Sequence, residues 1–140
     1  MPSPTITSKI TFIGGGQMAE AMIGGLLLGQ VCTAESIWAT DPVGERRDRL
    51  KSQFGVRVGP ANREAVAWAD VVIFAVKPQT LPAVLSDLGP ILAHALVISI
   101  VAGVTIRTIA EQMAGAMRVV RAMPNTPALV REGMTALAMG

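Results

Sequence analysis

The stretch "KITFIGGGQMAEAMIGGLLLG" (9–29) decides the fold. Its opening is β-branched and aromatic, which predicts a strand over 9–13. Three glycines break that strand, and "QMAEAMIGGLLLG" then predicts a helix over 17–29, weakened by Gly24 and Gly25 but apolar enough to pack. Between strand and helix lies the spacing Gly14-x-Gly16-x-x-Ala19. Gly14 allows a tight turn, Gly16 leaves no Cβ in the path of an approaching pyrophosphate, and Ala19 permits close packing of helix on strand. The helix amino terminus offers unpaired N–H groups and a positive dipole end to phosphates. A glycine cluster can also be a plain structural turn, but the flanking strand and helix favour dinucleotide binding. Ile13, Gly14, Gly15, Gly16, Gln17 and Met18 are the residues expected to touch the coenzyme here.

Beyond this unit, strands and helices keep alternating. Strands are predicted over 36–40, 56–58, 70–76, 95–101, 117–123 and 133–140, and helices over 44–55, 62–69, within 80–92 and over 105–115. Gly55 stops the first of these helices, Asn62 reads as an N-cap of the second, and Thr105 opens the last. "DVVIFAV" (70–76) is apolar enough for a central strand covered on both faces. The alternation predicts an α/β fold: a doubly wound, mostly parallel, Rossmann-like sheet in a single domain. Residues 1–8, with Pro2 and Pro4, are expected to form a frayed tail, and 9–140 the dinucleotide-binding domain.

Composition supports a well-buried core. Of 140 residues 51% are hydrophobic and the mean hydropathy is +0.49, which excludes a disordered chain. The net charge is +2 and Lys and Arg are scattered, so neither nucleic acid nor a membrane surface is implied as a partner. The longest apolar runs fall short of the roughly 18 residues needed to span a bilayer, and "MPSPTITSK" does not read as a secretory signal. A lone cysteine, Cys32, permits no internal disulfide and fits a reducing cytoplasm; it has no metal-ligand companion at useful spacing.

On a parallel sheet the ligand sits at the carboxyl ends of the strands, where strand order reverses. Asp41 ends the second predicted strand. A carboxylate there can accept from both ribose hydroxyls and would favour NADH, repelling a 2′-phosphate by about 4 kcal/mol at contact; it can equally serve to start the next helix. Arg46, Arg47 and Arg63 are near enough in sequence to offer a 2′-phosphate a counter-charge, so NADPH and NADH both stay open. Ala75, Val76, Lys77 and Pro78 end the fourth strand, where Lys77 can point into the crevice near the ribose and nicotinamide side or stand solvated before a helix-starting Pro78. Asn62 can cap its helix or touch the adenosine ribose, and Ala102 and Gly103 form either a turn where backbone approaches a ligand or a plain strand-to-helix turn. "RAMPNTPALV" (121–130) places Pro124 and Pro127 around Asn125 and Thr126, a stiff polar corner after a strand. His94 precedes the fifth strand, at the amino end of the sheet, and reads as a surface residue.

Together "FIGGGQMAEAMIGGLL", "EAVAWADVVIFAVKP", "VISIVAGVT" and above all "VVRAMPNTPALVREGMTAL" resemble pyrroline-5-carboxylate reductase. The resemblance runs from about Lys9 to the last residue. It implies hydride transfer from NADPH or NADH to a protonated cyclic imine, pyrroline-5-carboxylate, giving proline. It further implies that Asn125, Thr126 and Pro127 lie beside the nicotinamide and substrate, stiffened in advance by the prolines. Members of that family continue into a helical domain that forms a homo-oligomer and completes the substrate site. This chain stops at Gly140, so the expectation is a cofactor-binding portion with little activity alone. Acidic Asp41 stands where relatives often carry a small polar or basic residue. Two rival readings share the architecture: a β-hydroxyacid-dehydrogenase-like reductase, expected to lack the paired-proline turn, and a nucleotide-sensing module with no chemistry, which has no use for one.

Overall fold

The computed structural model describes residues 6–112, 118–124 and 135–139. Its elements run β1 (Ile10–Ile13), α1 (Gln17–Leu28), β2 (Ile37–Thr40), α2 (Gly44–Phe54), β3 (Arg57–Gly59) and α3 (Asn62–Trp68). They continue with β4 (Val71–Phe74), α4 (Leu81–Leu88), β5 (Leu96–Ser99), α5 (Ile106–Gln112), β6 (Arg118–Pro124) and β7 (Thr135–Met139). Short 3-10 turns at Ala34–Ser36 and Gly89–His94 lead into β2 and β5. The sheet order is β3-β2-β1-β4-β5-β6-β7. All neighbours are parallel except β7, which returns antiparallel to β6. This is the doubly wound sheet the alternation predicts, with the order reversing between β1 and β4.

Successive side chains of a strand face opposite ways, so each central strand feeds two cores. Phe12 and Ile73 pack with Ala19 and Ile23 of α1 and Leu50 of α2. Ile13, Val72 and Phe74 pack on the other face with Val66, Leu81, Leu85, Leu88 and Ile109. Leu81, Val84, Leu85 and Leu88 recur at the spacing of one helical stripe, and all four are buried. Burying a side chain of this size contributes about 1.5–3 kcal/mol. Thr11 is the polar exception in β1, fully buried, and its hydroxyl donates to the Ala65 carbonyl at 2.8 Å.

Local signals set the helix ends, with one correction. Gly55 closes α2 in the left-handed region at φ 72°, with its N–H on the Lys51 carbonyl, as expected of a glycine stop. Thr105 accepts the Thr108 N–H at 3.1 Å and opens α5 as expected. Asn62 does not cap α3: Ala61 holds the extended N-cap position, and no side-chain cap bond forms. Asn62 is already the first helical residue, and its Oδ1 accepts the Thr40 hydroxyl at 2.5 Å instead. Inside α1, Gly24 allows close approach of α2, because a Cβ there would stand 3.3 Å from the Phe54 ring. From the amino-terminal segment, the Ile6 N–H donates to the Val31 carbonyl and the Lys9 N–H to Asp70.

Candidate functional site

At the β1/β4 switch point the chain leaves both strands on the same edge of the sheet. The Ala75 N–H donates to the Ile13 carbonyl, and the Gly14 N–H to the Thr40 carbonyl. Gly14 has φ +105°, and a Cβ on it would lie 2.7 Å from the Ala75 carbonyl oxygen. Only glycine fits that turn. At Gly16 a Cβ would meet nothing within 4 Å, so this backbone faces open space. The next helical bond begins only at the Glu20 N–H, on the Gly16 carbonyl, and no side chain caps α1. The preceding amides of the first turn are therefore available to a ligand. Ala19 is fully buried under β1, as the packing argument requires.

These groups open on a cleft of about 790 Å³. Ile13, Gly14, Gly15, Gly16, Gln17, Met18, Asp41, Asn62, Ala75, Val76 and Lys77 all line it, so the structure gathers most of the residues singled out in sequence. It does not bring Pro78, Ala102 or Gly103 into that lining. Pro78 is exposed in the turn before α4, and Gly103 bends the β5–α5 turn at φ +74°. Asn125, Thr126 and Pro127 lie outside the described residues. His94 is exposed at the amino end of the sheet, one ring nitrogen 2.9 Å from the Ala69 carbonyl, as expected of a residue remote from the cleft.

Asp41 is a buried carboxylate in the cleft wall, with 4% of its surface exposed. Its Oδ2 accepts the Gly15 N–H at 2.8 Å, and its Oδ1 accepts the Val43 N–H at 2.8 Å. One carboxylate thus ties the glycine loop to the start of α2. The neighbouring arginines separate by direction. Arg46 lies half exposed in the cleft lining, with Nη1 3.5 Å from Asp41 Oδ2. Arg47 donates to the Asp41 carbonyl at 2.9 Å, and Arg63 turns away to Asp87. Sequence reading missed Glu20 and Arg49, which pair across α1 and α2 at 3.4 Å on the cleft rim. The signal was the residue directly after the glycine motif and the arginine eight positions past Asp41. Among the described residues, no cluster of His, Cys, Asp and Glu could hold a metal ion.

A protein-family model described as "NADP oxidoreductase coenzyme F420-dependent" matches residues 9–103, more than half of the chain. The chain belongs to this oxidoreductase family. The match covers the glycine loop, Asp41 and the Ala75–Lys77 edge. Among individual relatives, the pyrroline-5-carboxylate reductase of Pseudomonas aeruginosa is 44% identical over 132 residues, 94% of this chain and 48% of that protein. The solved structure of a pyrroline-5-carboxylate reductase from Coxiella burnetii aligns with a TM-score of 0.91 at 41% identity, covering 96% of this chain and 50% of that one. A Plasmodium falciparum pyrroline carboxylate reductase, solved with NADP bound, aligns at TM-score 0.85 and 28% identity over 98% of this chain and 50% of its own. The chain spans about half the length of the curated relatives it matches.

Proposed function

We propose that these residues form the coenzyme-binding portion of a cytoplasmic pyrroline-5-carboxylate reductase, using NADPH or NADH. The observation that carries the reading is the switch-point cleft, where Gly16 faces open space beside the uncapped start of α1. That arrangement fits a pyrophosphate: backbone amides and a positive helix end meet its charge, and no Cβ blocks the approach. The similarity to pyrroline-5-carboxylate reductases along more than nine-tenths of the chain supports the choice of substrate.

Bound there, the reduced nicotinamide supplies a hydride to the carbon of the protonated cyclic imine. The chain's own residues bind and align. Gly14, Gly15, Gly16, Gln17 and Met18 take the pyrophosphate, while Asp41 and Asn62 shape the adenosine end. Ala75, Val76 and Lys77 support the nicotinamide side, while Pro78, Ala102 and Gly103 stand outside the cleft lining. Asn125, Thr126 and Pro127 border the substrate. Hydride transfer of this kind needs no side-chain nucleophile. The remaining substrate contacts and the homo-oligomer belong, in this reading, to the second half of the length seen in relatives.

The test is a thermal-unfolding titration of the 140-residue chain with NADPH and NADH, alongside an assay for proline formation. The melting temperature should rise with coenzyme, and turnover should be slight or nil. A melting temperature that stays flat at millimolar coenzyme would overturn the binding site. Vigorous proline formation by this chain alone would overturn the assignment of the substrate contacts to residues beyond it.

A further inference from the structure

We propose that Arg46, not Asp41, reads the 2′ position of the adenosine ribose, and that the cleft is therefore built for the 2′-phosphorylated coenzyme despite the acid at the end of β2. The inference rests on the nucleotide reading above and adds the residue that sets selectivity. A carboxylate that selects an unphosphorylated ribose must present free acceptor positions to both hydroxyls. Asp41 is committed elsewhere. Gly15 N–H and the Arg46 guanidinium share Oδ2, Val43 N–H takes Oδ1, and only 4% of the residue is exposed. Its role is to position the glycine loop against α2.

Arg46 has the complementary properties. It stands in the first turn of α2, lines the same cleft and keeps 49% of its side chain exposed. Its contact with Asp41, at 3.5 Å, is longer than a strong charge-assisted hydrogen bond, so most of its five donors stay available. A guanidinium matches two phosphate oxygens at once, and it also offsets the Asp41 charge that would repel them. Arg49, one turn further along α2, adds a second exposed cation to the rim, paired loosely with Glu20. Arg47 and Arg63 do not line the cleft, and their guanidinium groups are directed to the Asp41 carbonyl and to Asp87.

The experiment measures dissociation constants of the 140-residue chain for NADPH and NADH, in the unchanged protein, in Arg46→Gln and in Arg57→Gln. Arg57 lies over the Trp38 ring and outside the cleft, so it controls for loss of one positive charge. The unchanged chain should bind NADPH about tenfold or more tighter than NADH. Arg46→Gln should remove most of that preference by weakening NADPH alone, and Arg57→Gln should leave the ratio as it was. Equal affinity for the two coenzymes in the unchanged chain, or equal weakening of both by Arg46→Gln, overturns the role of Arg46 while leaving the nucleotide site standing. Absence of binding by either coenzyme overturns both.

Discussion

Three adjacent glycines occupy three different environments, so one substitution made at two of them separates folding from binding. Gly14→Ala forces a side chain into a left-handed conformation and into the Ala75 carbonyl. Strain of this kind costs about 1–3 kcal/mol, so the urea midpoint should fall and coenzyme binding with it. Gly16→Ala meets open space at an ordinary φ of −78°, so the midpoint should fall only by the small cost of alanine at an N-cap, less than in Gly14→Ala, while coenzyme affinity drops because the new methyl stands before the amides. Parallel losses of stability in both variants would remove the distinction. Gly14 and Gly16 could be assigned these roles from their spacing alone. Gly15 could not, because the atoms crowding it are Leu50 and Asp41, brought from α2 and the end of β2. Cys32 is likewise defined by surroundings: burial pushes its thiol up, a shift the Ser36 hydrogen bond only partly opposes. It stays protonated at neutral pH and below, so iodoacetamide at pH 8 should label it far more slowly in the native chain than in urea. Equal labelling rates would show that Cys32 is accessible.

At the scale of single elements, two residues with the same capping chemistry take different roles. Thr105 accepts the Thr108 N–H, and Thr105→Ala should cost about 1 kcal/mol in urea unfolding, with Thr105→Ser recovering most of it. Asn62 has an equally good side chain for a cap but sits one position inside α3 and serves the Thr40 hydroxyl. The difference is tertiary. A cap needs only its own helix, whereas the Thr40 contact depends on β2 ending beside the start of α3. Helix α1 makes the same point in reverse. Gly24 lowers its intrinsic helix preference by roughly 0.5–1 kcal/mol relative to alanine, yet the position faces the Phe54 ring, where a larger residue would press the two helices apart.

Across the whole molecule, strand order sets the gradient of stability. β1 and β4 are central, paired on both sides and covered by apolar cores on both faces. β3 is short and lies on the edge, with Arg57 exposed. Native-state hydrogen exchange should therefore be slowest in β1 and β4, opening only with global unfolding, and orders of magnitude faster in β3. Comparable protection at centre and edge would contradict this arrangement. Strand, helix and glycine loop are decided by hydrophobic period and by turn chemistry, both of which act within a few residues, and right-handed crossovers then favour a parallel sheet. For that reason the amino-acid sequence alone determined the architecture, the edge of the sheet that carries the cleft and most of the residues along it. The tertiary structure alone decided which way the charges point. Arg46 and Arg47 are neighbours in the chain, but successive helical residues lie about 100° apart around the axis, so one reaches the cleft and the other a backbone carbonyl. Asp41 was visible as an acid at a strand end; that its carboxylate clamps a glycine amide from the first loop depended on two distant segments meeting.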